Sequence, residues 1–160
     1  MSGVFGADNK PVPQGFKNLP YFAELQQAAS VALTTPTVAT TVTDADCWGA
    51  GDQFPSAANG GLLVGAVAGT ITITRAGYYE VEYGQSDITV VNTQVITLQV
   101  FNGATGVGGI SKSTQLTGAP LAMSGKTIAL FAVGDIVTLK VIASTGNYTS
   151  AAGFLIVKEV

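Results

Sequence analysis

Apolar and polar residues alternate through most of the chain from about residue 31 onward. In "YYEVEYGQS" the alternation puts Tyr79, Val81 and Tyr83 on one side of the segment. A two-residue period is typical of a β-strand with one buried face. Turn-forming pairs such as Asn102-Gly103 and Gly134-Asp135 separate runs of this kind. The pattern predicts about eight to ten strands in an antiparallel sandwich or barrel.

One long stretch interrupts the alternation. The segment "GATGVGGISKSTQLTGAP" is rich in glycine, which weakens strands, and we predict a surface loop there with at most a short strand. Its glycines do not indicate a phosphate-binding loop, because no Gly-Lys-Ser/Thr follows them and no helix is signalled.

The first 30 residues have a different character. Prolines at positions 11, 13 and 20 remove backbone donors and fix φ, so a regular strand ladder is not expected there. One short helix is predicted in "PYFAELQQAAS", with Pro20 at its first position and Asn18 as a candidate cap. We therefore interpret residues 1–30 as an N-terminal arm with one short helix, and residues 31–160 as the folded domain.

Composition changes this picture by suggesting that the protein is not a free monomer. The chain has 160 residues, enough for one domain, and only 11% of them are charged, against about 25% in an average soluble domain. A monomer normally keeps surface charge for solubility. The low charge favours a surface that is partly covered by copies of the chain or by a large partner.

Charge and hydropathy exclude two classes of partner. The net charge is −3 and the seven basic residues are scattered, so we expect no nucleic-acid binding. The N-terminus lacks the pattern of a signal peptide, and the longest apolar run, residues 60–69, is about half of a membrane span. We expect a soluble protein that is synthesised in the cytoplasm and does not insert into a membrane.

Catalysis and metal binding are also not expected. The chain has no histidine, which excludes Ser-His-Asp and Cys-His arrangements, and the lone Cys47 is interpreted as a small buried residue. The carboxylates of Asp44, Asp46 and Asp52 lack the spacing of a calcium loop and are interpreted as turn residues. We expect no enzyme activity, no catalytic residue, no cofactor and no metal.

Three aromatic residues fall in predicted loops, where a sugar ring could stack on them. These residues are Trp48, Phe54 and Tyr148. Loop aromatics also serve as anchors beneath a loop or at an interface, and we favour that interpretation over sugar binding.

Two motifs and the closing strand carry a resemblance to a known family. They are Ala76-Gly77-Tyr78-Tyr79, the run Leu130–Leu139 ("LFAVGDIVTL") and the final "GFLIVKEV". Together they resemble the jelly roll of the tumour-necrosis-factor and complement-head superfamily over about residues 60–160. The last strand departs from the family pattern, since it lacks the internal glycine. The resemblance implies an all-β, antiparallel jelly-roll sandwich over residues 31–160, preceded by a mostly irregular arm.

The resemblance also implies an assembly. Domains of this family are mostly compact trimers, found in animal signalling proteins, bacterial spore-surface proteins and phage virion proteins. Because neither a signal nor an anchor is expected here, the virion branch is favoured. The hypothesis is a homotrimeric bacteriophage capsid decoration (cement) protein that binds the outer capsid surface and stabilises the shell. The alternative is a receptor-binding fibre or tip domain that recognises a host surface glycan or protein.

The site residues follow from that hypothesis. In the resembled fold the Tyr-Tyr strand and the terminal strand share a sheet whose outer face packs around the threefold axis. The resemblance therefore places Tyr78, Glu80, Glu82 and Lys158 at a trimer interface, although an exposed face with solvated acids remains open. The residues of the arm that would bind the major capsid protein are Phe5, Phe16, Leu19, Tyr21 and Phe22.

Overall fold

The computed structural model describes residues 22–27, 30–33, 38–42, 63–64, 69–144 and 147–160 of the chain. Within these ranges the chain forms twelve strands and contains no helix. The strands are β1 (Phe22–Gln26), β2 (Val31–Leu33), β3 (Thr40–Thr41), β4 (Leu63–Val64), β5 (Thr70–Thr72), β6 (Gly77–Val90), β7 (Gln94–Asn102), β8 (Thr105–Gln115), β9 (Leu121–Phe131), β10 (Ile136–Ala143), β11 (Tyr148–Ser150) and β12 (Ala152–Glu159).

The strands pair antiparallel in two sheets. Sheet 1 has the order β1-β12-β6-β11-β2, with β9 on the other flank of β6. Sheet 2 has the order β4-β5-β10-β7-β8, with β3 also paired to β10. Strands distant in sequence become neighbours, as when β12 lies between β1 and β6, which is the Greek-key organisation of a jelly roll. The predicted all-β antiparallel jelly-roll sandwich is confirmed.

The inward positions of β6, β7 and β10 form the centre of the core. Their side chains alternate with outward ones, as a period of two requires, and all are at most 1% exposed. Burial of an aliphatic or aromatic side chain of this size stabilises a fold by about 1.5–3 kcal/mol. The residues are Tyr79, Val81 and Tyr83, then Ile96, Leu98 and Val100, then Val137, Leu139 and Val141.

Tyr83 also bonds the two sheets together. Its hydroxyl donates to the carbonyl oxygens of Leu98 on β7 (3.1 Å) and Gly109 on β8 (2.7 Å). Gly125 on β9 leaves room for this ring, because a Cβ there would lie 2.5 Å from the Tyr83 hydroxyl oxygen. Burial raises the pKa of Tyr83 to about 12, so the hydroxyl remains a donor at neutral pH.

The predicted short helix was wrong where the structure describes it. Residues Phe22–Gln26 form β1 and pair along their whole length with β12. Ala23 and Leu25 enter the core, and β12 supplies the hydrogen bonds that a ten-residue helix would have had to form alone. The sandwich thus includes residues that the sequence assigned to the arm.

The predicted glycine-rich loop was also wrong. Residues Thr105–Gln115 form β8, which pairs with β7 through register shifts around Val100. Gly108 and Gly109 adopt φ values of 128° and 57°, which glycine tolerates and other residues rarely adopt. A Cβ at Gly108 would lie 2.5 Å from Thr127 Oγ1 on β9. The glycines allow β8 to bend closely against β9.

Of the three aromatic residues predicted in loops, the structure describes Tyr148. It lies in β11 and is fully buried, so its predicted loop position was wrong. Trp48 and Phe54 lie outside the described residues, as do Cys47 and the three aspartates Asp44, Asp46 and Asp52.

Candidate interaction surface

The outward side of β1, β12, β6 and β9 presents one continuous surface, which we call the assembly face. Cross-strand register aligns its residues in rows. Glu80 on β6 lies opposite Lys158 on β12 and Ile128 on β9. The next row places Glu82 between Ile156 and Lys126 in the same way. Directly opposed side chains on one face are close enough to interact.

One end of this face is apolar and uncovered, and we call it the apolar end. Tyr78 and Leu130 lie opposite each other, and the Val160 backbone N–H donates to the Tyr78 carbonyl at 3.1 Å. Tyr78, Ile128, Leu130 and Val160 are 59%, 59%, 64% and 62% exposed. Single exposed apolar residues are ordinary, but a cluster of this kind marks an interaction surface.

The charges beside the apolar end are paired within the chain. Lys126 Nζ lies 2.7 Å from Glu80 Oε2, and this hydrogen bond, together with the negative charges of Glu80 and Glu82, raises the pKa of Lys126. Lys158 lies across the ladder from Glu80 but forms no ion pair with the described part of the chain. Glu80 therefore needs no partner from another copy to balance its charge.

All four predicted interface residues, Tyr78, Glu80, Glu82 and Lys158, lie on the assembly face. Sequence reasoning missed Lys126, Ile128 and Leu130. The alternation in "GKTIAL" places these three on one side of a strand, but nothing in the sequence says which strand pairs with β6. Pairing decides which side chains meet.

Of the five residues that the sequence assigned to capsid binding, the structure describes only one. Phe5, Phe16, Leu19 and Tyr21 lie outside the described residues. Phe22 lies in β1 opposite Lys158, so it belongs to the sandwich and not to an arm. Ala23 and Leu25 point into the core, and because side chains alternate along a strand, Phe22 points outward onto the assembly face.

The other end of the assembly face is concave, and we call it the cavity end. Small residues there leave a cavity of about 520 Å³, and glycines or alanines from β6, β9 and β12 line it. The Phe154 ring occupies the space above Gly84, where a Cβ would lie 2.5 Å from a ring carbon. Polar groups of Glu24, Gln26 and Ser124 complete the wall.

A buried polar cluster adjoins this cavity. Gln85 lines the cavity and is 2% exposed. Its Oε1 accepts hydrogen bonds from Ser150 Oγ at 2.7 Å and from the Tyr148 hydroxyl at 3.4 Å. Its Nε2 is buried without a hydrogen-bond partner. An unsatisfied buried amide costs about 1–3 kcal/mol, and this one lies on the core side of sheet 1, on the same face as Tyr83 and Leu155.

Two kinds of site are absent from the described ranges of the chain. Within the described residues, no three Cys, Asp or Glu side chains lie close enough together to hold a metal ion. Nor does any helix in those ranges have the length and apolar character needed to cross a membrane.

Comparison with known proteins identifies the fold. No family model and no curated protein matches the sequence. The Eiger TNF structure from S. frugiperda superposes with a TM-score of 0.54 and 14% identity over 89% of this chain and 94% of that one. The globular domain of zebrafish complement 1qA gives 0.56 and 15% over 88% and 97%.

A third solved structure is similar to this chain. The crystal structure of murine APRIL at pH 5.0 has a TM-score of 0.51 and 14% identity, covering 86% of this chain and 98% of that chain. The chain thus has the jelly-roll fold shared by these tumour-necrosis-factor and complement-head domains. The likeness extends across most of the chain and begins well before residue 60, where the sequence resemblance began.

Proposed function

We propose that the protein is a structural virion protein: a homotrimeric bacteriophage capsid decoration (cement) protein without catalytic activity. The observation that carries this proposal is the uncovered apolar end of the assembly face. It lies on a fold that the chain shares with tumour-necrosis-factor and complement-head domains.

The trimer is the first element of the proposal. Side chains such as Ile128 and Leu130 are more than half exposed in one copy, and burying them against other copies would remove apolar surface from water. Glu80 and Lys126 already neutralise each other, which reduces repulsion between copies on a face that closes on itself. Three copies around one axis would give every such face a partner.

Attachment to a capsid is the second element. We propose that the proline-containing residues 1–21, with Phe5, Phe16, Leu19 and Tyr21, bind the major capsid protein on the outer capsid surface. Three weak contacts from one trimer multiply through effective concentration. Bridging of neighbouring capsomers would stabilise the shell, since opening it must then break several contacts together. The protein would be synthesised in the host cytoplasm and located on the virion.

Removal of residues 1–21 tests the attachment. This cut leaves β1 and the sandwich intact, because β1 begins at Phe22. The truncated trimer should bind undecorated capsids about a hundredfold more weakly or not at all, since the multiplied contacts are lost. Sedimentation with capsids measures binding, and light scattering checks that the truncated protein is still trimeric.

Two results would contradict the proposal. Normal capsid binding by the truncated trimer would show that the arm is not the attachment device. Failure of the full-length protein to bind capsids, together with binding to host cells, would replace the decoration role with that of a receptor-binding fibre or tip.

A further inference from the structure

We propose that two turns beside the apolar end form a rigid contact surface for the protein that the arm binds, with Val133 as its apolar anchor. The turns are Ala132–Asp135, between β9 and β10, and Gly103–Ala104, between β7 and β8. We call them together the turn platform. This inference rests on the proposed function, since it takes the arm as the attachment device, and it adds a second point of contact with the capsid.

Hydrogen bonds fix the turn between β9 and β10 from two sides. Within the turn, the Ala132 N–H donates to Asp135 Oδ2 at 2.8 Å, and the Asp135 N–H donates to the Ala132 carbonyl oxygen at 3.2 Å. Next to β5, the Gly134 N–H donates to the Ile73 carbonyl oxygen at 2.8 Å, and the Ile73 N–H donates to the Asp135 carbonyl oxygen at 2.9 Å. Gly134 has a φ of 89°, which glycine adopts without strain. The turn is thus ordered before any partner binds, which lowers the entropy cost of binding.

The second turn is joined to the first through Ile136. The Gly103 N–H donates to the Ile136 carbonyl oxygen at 2.9 Å, and the Ile136 N–H donates to Asn102 Oδ1 at 3.3 Å. Lys140 Nζ, which lies over the Phe101 ring, donates to the Gly103 carbonyl oxygen at 2.7 Å. The two turns therefore form one surface and not two independent loops.

The turn platform presents one large apolar side chain among small uncharged groups. Val133 is 67% exposed, and the carboxylate of Asp135 already accepts the Ala132 N–H. The other exposed residues of the platform are Gly103, Ala104, Ala132 and Gly134. A protein surface with a shallow apolar pocket fits this combination. Burial of Val133 would remove apolar area from water, and the small neighbours would let the two backbones approach each other.

The start of β1 places the platform beside the point where the arm leaves the sandwich. β1 begins at Phe22, opposite Lys158 near the end of β12, and β9 ends at Phe131, opposite the start of β6. Since β1, β12, β6 and β9 are successive neighbours, three strand spacings, about 14 Å, separate these two strand ends. Leu19 and Tyr21 precede Phe22 by three residues and one residue, so chain connectivity keeps both within about 11 Å of it. A capsid surface that binds these two side chains therefore also lies beside the turn platform.

The platform lies outside the face that the copies would share. β9 belongs to sheet 1 and β10 to sheet 2, so the turn between them crosses the end of the sandwich and is not on the outward side of either sheet. Assembly through the outward side of sheet 1 therefore leaves Val133 accessible to a different protein.

The opposite end of the sandwich offers a matched comparison. Leu116, in the loop between β8 and β9, is 61% exposed. It follows β8, whose 11 residues lead about 35 Å away from the Gly103–Ala104 turn at roughly 3.3 Å per residue. Leu116 is thus an exposed apolar side chain that lies far from the arm, and we expect it to make no contact with the capsid.

Sedimentation of full-length variants with undecorated capsids tests the proposal. Val133→Asp would bury a carboxylate without a cationic partner, and it should weaken capsid binding by about tenfold or more. Leu116→Asp makes the same change in charge at the opposite end and should leave binding unchanged. Val133→Ile keeps an apolar anchor and should bind capsids as the unchanged protein does. Sedimentation velocity verifies that each variant is still trimeric.

Photo-crosslinking tests the contact directly. A photo-reactive amino acid in place of Val133 should form an adduct with the major capsid protein when decorated capsids are irradiated. The same replacement at Leu116 should form none. Both positions are exposed, so neither replacement disturbs the core.

The contradicting outcomes separate this inference from the proposed function. If Val133→Asp binds capsids as well as the unchanged protein, or if Leu116→Asp loses as much binding, the platform is not a contact surface, and attachment through the arm still stands. Dissociation of the Val133→Asp trimer would assign Val133 to the contact between copies and would also overturn the inference. If the unchanged protein does not bind capsids, the proposed function fails, and the platform's role in it fails as well.

Discussion

The outward faces of the two sheets differ in how far their aromatic side chains are exposed to solvent. On sheet 2, Phe101 is 8% exposed and Lys140 Nζ lies 4.7 Å from its ring centroid, so the chain covers its own ring. On sheet 1, Tyr78 is 59% exposed and has Leu130 and Ile128 as uncovered neighbours on β9. On sheet 2 the chain covers this aromatic ring itself, whereas on sheet 1 the aromatic ring of the apolar end is left uncovered.

The largest expected effect comes from Leu130→Ser. If three copies bury this side chain, its loss removes about 1.5–3 kcal/mol in each copy, and the trimer should dissociate to monomers at micromolar concentration. Sedimentation velocity measures the change. The matched control is Ile136→Ser on sheet 2, also exposed, which should leave the assembly intact. If both variants dissociate equally, or neither does, the apolar end of sheet 1 is not the surface that holds the copies together.

Tyr83→Phe should have the next largest effect, on folding rather than assembly. Loss of the hydroxyl leaves the carbonyl oxygens of Leu98 and Gly109 without this donor, which should lower the free energy of unfolding by about 1–3 kcal/mol. Tyr78→Phe, on the outward side of the same strand, should leave the unfolding free energy unchanged. Urea denaturation of both variants measures the difference, and a matching loss in Tyr78→Phe would refute the assignment.

Alkaline pH should weaken the fold for a related reason. Burial raises the pKa of Tyr83 from 10.0 to about 12 and also raises that of Tyr148. Both tyrosines ionise more readily in the unfolded chain, so stability is complete below pH 10 and falls as the pH rises from 10 towards 12. Urea midpoints measured across this range should decrease, and Tyr83→Phe should flatten the decrease. A midpoint that stays constant would show that folding does not raise the pKa values of these tyrosines.

The smallest expected effect belongs to the paired charges. Glu80→Gln removes one partner of an exposed ion pair, and such pairs contribute little to folding. The unfolding midpoint should barely change, while trimer dissociation should become more dependent on salt because Lys126 loses its carboxylate and keeps an unpaired charge. Lys112→Gln, an exposed lysine on β8, is the control. A dissociation constant that responds equally to both substitutions would place Glu80 outside any interface.

The alternation of apolar and polar residues was sufficient to predict much of the fold, and β6 shows why. Tyr79, Val81 and Tyr83 alternate with polar or exposed residues, and a strand with a period of two has only one way to bury them. The motifs around Gly77 and Gly134-Asp135 then favoured one jelly-roll arrangement. The outward placement of Tyr78, Glu80 and Glu82 followed from the same alternation.

Local signals failed where a partner strand determined the conformation. Residues Phe22–Gln26 have good helix formers, yet β12 provides backbone partners for an extended chain. Residues Thr105–Gln115 have the glycines of a loop, yet the glycines serve the close approach of β8 to β9. In both segments the decisive interactions are with residues far away in sequence.

The sequence by itself thus determined that the chain is all-β and which side of β6 is buried, because side-chain alternation is a property of a single strand. Only the tertiary structure decided that Leu130, Ile128 and Lys126 join Tyr78 and Glu80 on one face, because cross-strand register is set by long-range pairing. It also decided that small residues of β6, β9 and β12 meet and leave a cavity on the outward side of sheet 1.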